Sequence, residues 1–308
     1  MQKNRHHKAP EFREDKIYRF VNESPETKGL LELVAENMPD RSRTQLKGWL
    51  RYGHMMANGE VTSKFDAPIA PGEEARVNVS RPFVLLNNRR LKIIYEDDDV
   101  IVVNKGYGLL SVGANSSKKE ETAYDILRDY LKLKDPRNKL YVVHRLDRDT
   151  SGIMMFAKTE EAQETLRHNW NNYVLDRTYV ALLEGYVKDD NGYVKSHLAE
   201  NSKYVVYSTD NENEGKLAVT HYKVLKRGNG LTLTEFSLDT GRKNQIRVHA
   251  KDLGHPINGD RKYGAHTSKL NRLCLHARTL RFAHPITRKD MNFEVPVPQG
   301  FLKAVGGN

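Results

Sequence analysis

The densest group of reactive side chains lies in the segment HRLDRDTSG, residues 144–152, between the apolar stretches LYVV and GIMMFA. Loops that are fixed by rigid strands commonly carry catalytic groups. Asp147 has Arg145 and Arg148 as close sequence neighbours, and nearby cations keep a partly buried carboxylate ionised. An ionised aspartate that is held in place can act as a nucleophile. The same residues are equally typical of an ion-pair network that closes a tight turn.

A second group, TGRKNQIRVH at residues 240–249, runs from the end of a predicted strand into the start of a predicted helix. Backbone N–H groups and arginine side chains at such a place can hold a phosphate or a carboxylate. The planar guanidinium of Arg247 can bind both oxygens of a carboxylate and offset the cost of burying that charge. We therefore expect Arg247 to be the partner of a catalytic carboxylate.

One alternative uses a different aspartate. Asp239-Thr240-Gly241 follows the apolar strand LTLTEFSL and matches the short signature of aspartic proteases, and residues 149–152 (DTSG) are a looser second copy. Two carboxylates that share a proton would form a hydrolytic dyad. The inserted serine and the preceding Arg148 weaken the second copy. An aspartic-protease-like hydrolase that uses Asp239 is therefore the second hypothesis.

The composition indicates a globular protein that favours polyanionic partners. The 308 residues carry 50 Lys and Arg against 40 Asp and Glu, a formal net charge of +10. The net charge is +4 in residues 1–90, −3 in 91–240 and +9 in 241–308, which favours RNA or another polyanion and leaves acidic substrates and anionic lipids open. The single cysteine, Cys274, permits no internal disulfide. No stretch resembles a secretion signal or a membrane span, so we expect a cytoplasmic protein without membrane association.

The order of the predicted elements indicates an α+β fold. Strand candidates outnumber helices and do not alternate with them regularly, so we expect a mixed, largely antiparallel sheet with packed helices. Residues 41–52 predict a basic amphipathic helix, and Asn58-Gly59 predicts a hairpin turn after it. That pattern fits a small RNA-binding module, and also a packing subdomain with a basic face. The helix carries three basic residues at four-residue spacing on one face, namely Arg43, Lys47 and Arg51.

Other motifs are incomplete. The segment Gly254–Gly259 has the glycine spacing of a phosphate loop, but Asp260-Arg261 follows where Lys and then Ser or Thr are required. Ser116 and Lys119 have a Ser-x-x-Lys spacing within a polar run that offers no strand or helix to hold the serine. The twelve histidines form no tight zinc pattern. We therefore expect neither a metal nor a nucleotide cofactor.

Five segments in order resemble the RluA family of RNA pseudouridine synthases, and together they cover most of residues 91–298. They are EDDDVIVVNKGYGLL, HRLDRDTSGIMMFAKT, RTYVALLEG, TGRKNQIRVHAKDLGHPINGDRKYG and LCLHARTLRFAHPIT. The segment RSRTQLKGWLRYGHMMANGEV, with Pro71-Gly72-Glu73, similarly resembles an S4 RNA-binding domain. The resemblance implies a pseudouridine synthase fold for the larger part and a small S4-like α/β domain before it. The expected division is a basic tail (1–16), an S4-like domain (17–80), a linker (81–90) and a catalytic domain (91–308).

The resemblance also implies a reaction and roles for individual residues. Enzymes of this family cleave the N-glycosidic bond of uridine, turn the uracil and rejoin it through C5, without a metal or cofactor. Asp147 falls on the nucleophile, which attacks either the ribose C1′ or the base, and Arg247 on the arginine that pairs with it. Tyr179 falls on the tyrosine that packs on the uracil, and Arg145 on the residue that enters the helix when the base is flipped out. Lys243 and the residue after it depart from the Thr-His that the family commonly has there.

The S4-like segment resembles the family members that act on ribosomal RNA more than the minimal ones that act on transfer RNA. Large-subunit ribosomal RNA is therefore the first expected substrate, transfer RNA the second, and a purely RNA-binding role the third hypothesis. We expect a monomer. The residues expected to contact RNA, besides the catalytic ones, are Arg145, Arg148, Arg242, Lys243, Arg43, Lys47 and Arg51.

Overall fold

The computed structural model describes residues 16–80, 82–83, 86, 88–113 and 120–306. The chain forms two compact units, Met1–Leu85 and Leu86–Asn308. The predicted tail lies outside the described residues except for Lys16, and so do Ser116, Lys119 and part of the predicted linker. The S4-like character of the first unit stays a prediction.

The first unit packs two helices against a small antiparallel sheet of order β1-β6-β3-β4. Its elements are β1 Ile17–Val21, β2 Lys28–Gly29, α1 Leu30–Asn37, α2 Arg43–Arg51, β3 Met55–Ala57, β4 Glu60–Val61, β5 Pro68–Ile69 and β6 Glu74–Asn78. Ser42 caps α2 by accepting a hydrogen bond from the backbone N–H of Gln45 (3.2 Å). Asn58 and Gly59 both have positive φ angles, as the hairpin turn between β3 and β4 requires.

The second unit is built on one large sheet of eleven described strands. The strands are β7 Leu91–Glu96, β8 Val100–Lys105, β9 Tyr141–Val142, β10 Ser151–Ala157, β11 Val174–Glu184, β12 Asn191–Glu200, β13 Val206–Thr209, β14 Lys216–Gly228, β15 Leu231–Leu238, β16 Leu275–Ala283 and β17 Asp290–Glu294. Their order is β13-β12-β14-β15-β11-β16-β10-β8-β7, with β17 paired to β16 and β9 to β10. Among these pairs β10 and β16 are parallel and the others antiparallel. The predicted α+β class with a mixed, largely antiparallel sheet is confirmed.

Helices cover parts of this sheet and complete its core. They are α3 Ala123–Lys134, α4 Glu160–His168, α5 Trp170–Tyr173, α6 Gln245–Asp252 and α7 Gln299–Ala304, with a short 3₁₀ turn at Arg261–Tyr263. Thr122 caps α3 by accepting from the Asp125 N–H, and Thr159 caps α4 by accepting from the Ala162 N–H. The core beside α6 and α7 includes Phe236, Ile246 and Phe301. Among the helices of the described residues, none combines the length and the apolar composition of a membrane-spanning segment.

The parallel contact between β10 and β16 depends on a glycine. Gly152 has a φ of +116°, and a Cβ atom there would lie 2.0 Å from the carbonyl oxygen of Ala277 on β16. Only a residue without a side chain allows the two backbones to come this close. Because β10 begins at Ser151, this close approach fixes the end of the loop that carries Asp147.

Candidate active site

The three residues expected to be catalytic line one cleft of about 290 Å³ in the second unit. Asp147 comes from the loop between β9 and β10, Tyr179 from β11, and Arg247 from the first turns of α6. The cleft also contains Arg145, Arg242 and Lys243. These three side chains are far apart in the sequence, and the fold brings them together in one cleft. The other lining residues are Leu146, Thr150, Leu238, Gly241, Asn244, Gln245, Ile246 and Leu275.

The loop that carries Asp147 is held on both sides of the aspartate. The Ser111 hydroxyl donates to the carbonyl of Leu146 (2.6 Å) and accepts from its N–H (3.1 Å). The Lys105 ammonium donates to the carbonyl of Arg148 (3.0 Å). Anchoring the neighbours on either side fixes the backbone of Asp147 itself, which is how an enzyme holds a reactive group in place before substrate binds.

Lys105 is an unusual anchor because its side chain is fully buried. Its ammonium also donates to the carbonyls of Gly106 (3.1 Å) and Leu109 (2.8 Å), so all three N–H bonds have acceptors. Burial lowers the pKa of Lys105 to about 7, against the opposing effect of Asp149 and Asp147. Sequence reasoning missed this residue because lysine side chains are almost never fully buried, and nothing in the local sequence marks this one as an exception.

The guanidinium of Arg247 binds two carboxylates, and Asp147 is the weaker partner. Arg247 donates from Nε and Nη2 to both oxygens of Asp260 at 2.7 and 2.8 Å, whereas Nη1 lies 3.4 Å from Oδ2 of Asp147. The Asp260 side chain is 1% exposed and that of Asp147 29% exposed. The two-oxygen contact that we expected Arg247 to make with a catalytic carboxylate is made with Asp260 and not with Asp147. That bidentate pair holds Arg247 in place and leaves Asp147 open to the cleft.

The charge balance of this group favours an ionised arginine. Burial by itself lowers the pKa of Arg247, but the hydrogen bonds and charge of Asp260, together with Asp147, raise that pKa above its usual value. Tyr263 stacks below the guanidinium, with 4.9 Å from the ring centroid to Cζ. Arg247 therefore stays a cation beside Asp147 at any working pH.

Asn244 has a structural role at the position where the sequence departs from the family pattern. It adopts a left-handed backbone with φ 55°, which asparagine tolerates better than most residues. Its side chain accepts from Arg247 Nη1 (3.1 Å) and donates to the Tyr263 hydroxyl (3.0 Å). Asn244 thus connects the arginine to the ring beneath it.

A buried glutamine fixes the loop that leads into α6. Gln245 accepts from the Thr240 hydroxyl (2.8 Å) and from the Arg242 N–H (2.9 Å), and it donates to Val219 O and Thr220 Oγ1 (2.9 Å each). All the polar atoms of its side chain have partners. The hydrogen bonds hold the Gly241–Lys243 side of the cleft against β14.

Tyr179 places a phenol ring against the cleft. Burial raises the pKa of this phenol and the charge of Asp147 adds to the rise, while Arg177 opposes it. The hydroxyl is therefore protonated at neutral pH. A neutral aromatic ring beside a carboxylate is suited to packing on a planar base.

The basic residues expected to contact RNA are in different places. Arg145 is exposed at the cleft, Arg242 donates to the carbonyl of Leu217 (3.0 Å), and Lys243 pairs with Glu200. Arg148 is exposed, pairs with Glu120 and does not line the cleft. The first unit carries the remaining three, which are exposed on α2: Arg43, Lys47 and Arg51.

Comparison with known proteins identifies the family of this chain. The sequence profile of the RNA pseudouridylate synthase family matches residues 99–252. The uncharacterized RNA pseudouridine synthase YlyB of Bacillus subtilis (strain 168) is 34% identical over 291 residues, and the match covers 92% of this chain and 95% of that protein. The chain belongs to the RNA pseudouridylate synthase family. It is accordingly an enzyme of that family, an RNA-modifying isomerase, as the sequence motifs predict.

This chain is also similar to other members of the family in sequence and in structure. Ribosomal large subunit pseudouridine synthase D of Pasteurella multocida is 32% identical over 295 residues, 89% of each chain. The solved structure of human RNA pseudouridylate synthase domain containing 1 superposes with a TM-score of 0.56 at 25% identity, covering 70% of this chain and 85% of that chain. Human RNA pseudouridylate synthase domain containing 4 gives a TM-score of 0.57 at 25% identity, covering 69% and 90%. The predicted pseudouridine synthase fold is confirmed.

The aspartic-protease alternative is wrong for a member of this family, and the structure shows why Asp239 is no dyad member. Asp239 is exposed, and its Oδ2 lies 2.9 Å from Nε2 of His221. Asp149, from the looser second copy, lines a different groove. A shared proton requires two carboxylates in direct contact, and Asp239 has a histidine as its partner.

One group of side chains has the ligand types of a metal site, namely Asp97, Asp99 and His284. His284 Nε2 lies 3.1 Å from Asp97 Oδ2, and its Nδ1 accepts from the N–H groups of Ile286 and Thr287. Asp97 Oδ1 accepts from two further backbone N–H groups. These internal hydrogen bonds give the group a structural role between β7 and the end of β16.

His144, at the start of the Asp147 loop, makes the stability of the fold depend on pH. Its Nε2 accepts from the Met155 N–H (3.0 Å), and burial, with the charge of Arg177, lowers its pKa from 6.5 to about 3. Between these two values the unfolded chain binds a proton that the folded chain does not, so stability falls as the pH falls below 6.5. His144→Gln keeps an acceptor for Met155 and removes this titration. Below pH 6.5, each pH unit should therefore lower the free energy of unfolding by about 1.4 kcal/mol more in the wild type than in the variant.

Chemical denaturation of both proteins at pH 7.5 and pH 5.5 measures the effect. Equal losses of stability in the wild type and His144→Gln would show that His144 takes up its proton as easily in the folded chain as in the unfolded chain.

Proposed function

We propose that this enzyme converts specific uridines of large-subunit ribosomal RNA to pseudouridine, with Asp147 as the nucleophile acting on a base flipped out of its helix. The observation that carries this proposal is the meeting of Asp147, Tyr179 and Arg247 at one cleft, with Arg247 held by Asp260 and only 3.4 Å from Asp147. This places a carboxylate, a cation and an aromatic ring around a space that can receive a planar base.

The proposed reaction needs only groups that this chain supplies. The carboxylate of Asp147 attacks the ribose C1′ or the uracil ring, and in either route the N1–C1′ bond breaks. The uracil turns while it is packed against Tyr179, a C5–C1′ bond forms, and Asp147 is released. N1 gains a proton as C5 loses one, so substrate and product are isomers and no electron donor or acceptor takes part.

Base flipping follows from the position of the nucleophile inside a cleft. A uridine that is stacked in a helix hides both its C5 and its glycosidic bond, so the nucleotide must leave the stack to reach Asp147. Arg145 is exposed at the edge of the same cleft, two residues before Asp147. In the proposed complex its side chain fills the space that the base leaves.

Ribosomal RNA is the proposed substrate because relatives that match nearly the full chain are named ribosomal large subunit pseudouridine synthase D. The exposed basic face of α2, formed by Arg43, Lys47 and Arg51, fits the proposed S4-like role of the first unit in binding that RNA. We further propose that the enzyme acts as a monomer in the cytoplasm.

Mapping of pseudouridines in ribosomal and transfer RNA, from cells with and without this protein, tests the substrate. Loss of one or a few large-subunit sites in the deletion strain, restored by the wild-type gene, is the expected result. Loss confined to transfer RNA would replace the proposed substrate, and an unchanged map would contradict the proposed function.

The basic face of α2 should contribute to affinity rather than to chemistry. Replacing Arg43, Lys47 and Arg51 together with glutamine keeps the helix and removes the charges that would bind phosphate. We expect weaker RNA binding and a salt slope of log K smaller by about 0.7 for each phosphate that the variant no longer neutralises, with kcat unchanged. Titration of RNA at several salt concentrations measures this.

A charge-matched control replaces three exposed lysines of the second unit with glutamine: Lys188, Lys195 and Lys223. None of them lines the cleft. If this control lowers the salt slope as much as the α2 variant does, the binding role of α2 is contradicted.

Activity should not depend on a divalent metal. The proposed nucleophile is the carboxylate of Asp147, and the reaction is an isomerisation that needs no Lewis acid for atom balance. We therefore expect the initial rate on refolded RNA to be unchanged in excess EDTA with potassium maintaining the RNA fold. A loss that zinc restores would show that His284 and its neighbours hold a working metal.

A further inference from the structure

A second groove, of about 480 Å³, lies next to the active-site cleft, and Arg247 lines both. We call it the Tyr107 groove. Four basic and two acidic side chains line it, and one of the acids, Asp260, is neutralised by its bidentate pair with Arg247. The groove therefore offers a net positive surface that is continuous with the site of the flipped base. Its charged and aromatic lining residues are Tyr107, Asp149, Arg247, Asp260, Arg261, Lys262 and Arg272.

Tyr107 presents an aromatic ring in this groove. The residue is 52% exposed, although the ring is large and apolar. Arg272 lies against the ring, with its Cζ 4.5 Å from the ring centroid. The other partners of Arg272 keep it in place: Nη2 donates to the Ser151 hydroxyl (2.7 Å) and Nε to the carbonyl of Leu273 (3.0 Å). A ring backed by a fixed guanidinium is a ready surface for stacking.

The backbone on which Tyr107 sits is tied to the loop that carries Asp147. The buried Lys105 ammonium binds the carbonyls of Gly106 and Leu109, which flank Tyr107, and also the carbonyl of Arg148, next to Asp147. The Lys105 ammonium thus holds both the turn that carries Tyr107 and the loop that carries Asp147. The spacing between the ring and the reactive carboxylate is set before RNA binds.

We propose that Tyr107, supported by Arg272, stacks on the base of a nucleotide beside the target uridine, while Arg261 and Lys262 hold the adjoining phosphates. This inference rests on the proposed function, since it names where the strand runs once its uridine is in the cleft. The ligand is single-stranded RNA because stacking on an exposed ring requires an unpaired base, and an aromatic ring beside basic side chains is the common arrangement for binding it. The exposed side chains of Arg261 and Lys262 supply the matching positive charge.

Tyr107→Ala removes the ring, and Tyr107→Phe keeps it. On a ribosomal RNA hairpin that the wild-type protein binds, we expect Tyr107→Ala to raise KM roughly tenfold with kcat within about twofold, because stacking on one base is lost. Tyr107→Phe is expected to restore KM. Tyr193→Ala removes another exposed tyrosine, 67% exposed against 52% for Tyr107, outside both grooves and serves as the control.

A fluorescence measurement follows the stack directly and needs binding only. With 2-aminopurine on either side of the loop uridine, one position should be quenched on binding by the wild type and by Tyr107→Phe, and should stay bright with Tyr107→Ala. Unchanged KM and unchanged quenching at both positions in Tyr107→Ala would overturn the proposal, as would a fall in kcat with KM unchanged. Failure of the wild type to form pseudouridine would count against the proposed function, while the quenching would still decide the stacking role.

Discussion

Asp260→Asn should destabilise the fold by about 3 kcal/mol and lower kcat about tenfold or more. The substitution keeps the shape of the side chain but leaves the guanidinium of Arg247, which is 15% exposed, without the carboxylate that it binds at 2.7 and 2.8 Å. Breaking one side of a buried ion pair costs about 3–5 kcal/mol because a charge is left uncompensated. Arg247 is then free to move toward Asp147, and small displacements of catalytic groups have large effects on rate.

The control is Asp290→Asn, which weakens an ion pair that is about half exposed: Arg281 Nε lies 3.1 Å from both oxygens of Asp290, and Nη2 lies 2.6 Å from Oδ2. Exposed pairs contribute about 0–1 kcal/mol, so this variant should unfold and react like the wild type. Chemical denaturation gives the stabilities, and initial rates at saturating RNA give kcat. A free energy of unfolding for Asp260→Asn as close to the wild type as that of Asp290→Asn would show that Arg247 does not depend on its buried partner.

The sequence predicted the parts of the site that lie within short, contiguous motifs. The group around Asp147 and the group around Arg247 each combine reactive side chains with a strand or helix boundary, and those boundaries are visible as changes of hydrophobic period. The helix predicted to start within residues 240–249 is observed as α6, Gln245–Asp252. Local patterns of this kind indicated where each group lies along the chain, whereas the pairing of Asp147 with Arg247 was implied by the resemblance to the RluA family.

The partners that hold the site were beyond a local pattern. Asp260 follows Arg247 by thirteen residues. Only the path of the chain after α6 brings its carboxylate within hydrogen-bond distance of the guanidinium. Lys105 reaches Arg148 across forty-three residues. Charge spacing alone also could not tell that Arg145 faces the cleft while Arg148 pairs with Glu120 outside it, because the direction of a side chain in a turn depends on backbone angles that composition does not fix.

Asp147→Asn should abolish pseudouridine formation, with a loss of about a thousandfold or more, because a neutral amide lacks the charge of the nucleophile and covalent catalysis is lost with it. The fold should be nearly unaffected. Asp147 is only the weaker partner of Arg247, at 3.4 Å, and Asp260 continues to neutralise that cation. RNA binding should also remain near that of the wild type, since the basic residues around the cleft are unchanged.

Asp239→Asn is the matched variant for this measurement. It makes the same chemical change at an exposed aspartate whose partner is His221, and an amide oxygen can still accept that hydrogen bond. We expect it to be as active as the wild type.

The most direct measurement is the amount of pseudouridine formed in large-subunit ribosomal RNA by wild type, Asp147→Asn and Asp239→Asn, read by carbodiimide labelling at saturating enzyme. Thermal melting confirms that each variant is folded, and mass spectrometry confirms that the introduced asparagine has not reverted to aspartate. Full modification by the wild type and Asp239→Asn, with background levels from Asp147→Asn, is the predicted result. Full pseudouridine formation by folded, unreverted Asp147→Asn would contradict the role of Asp147 as the nucleophile.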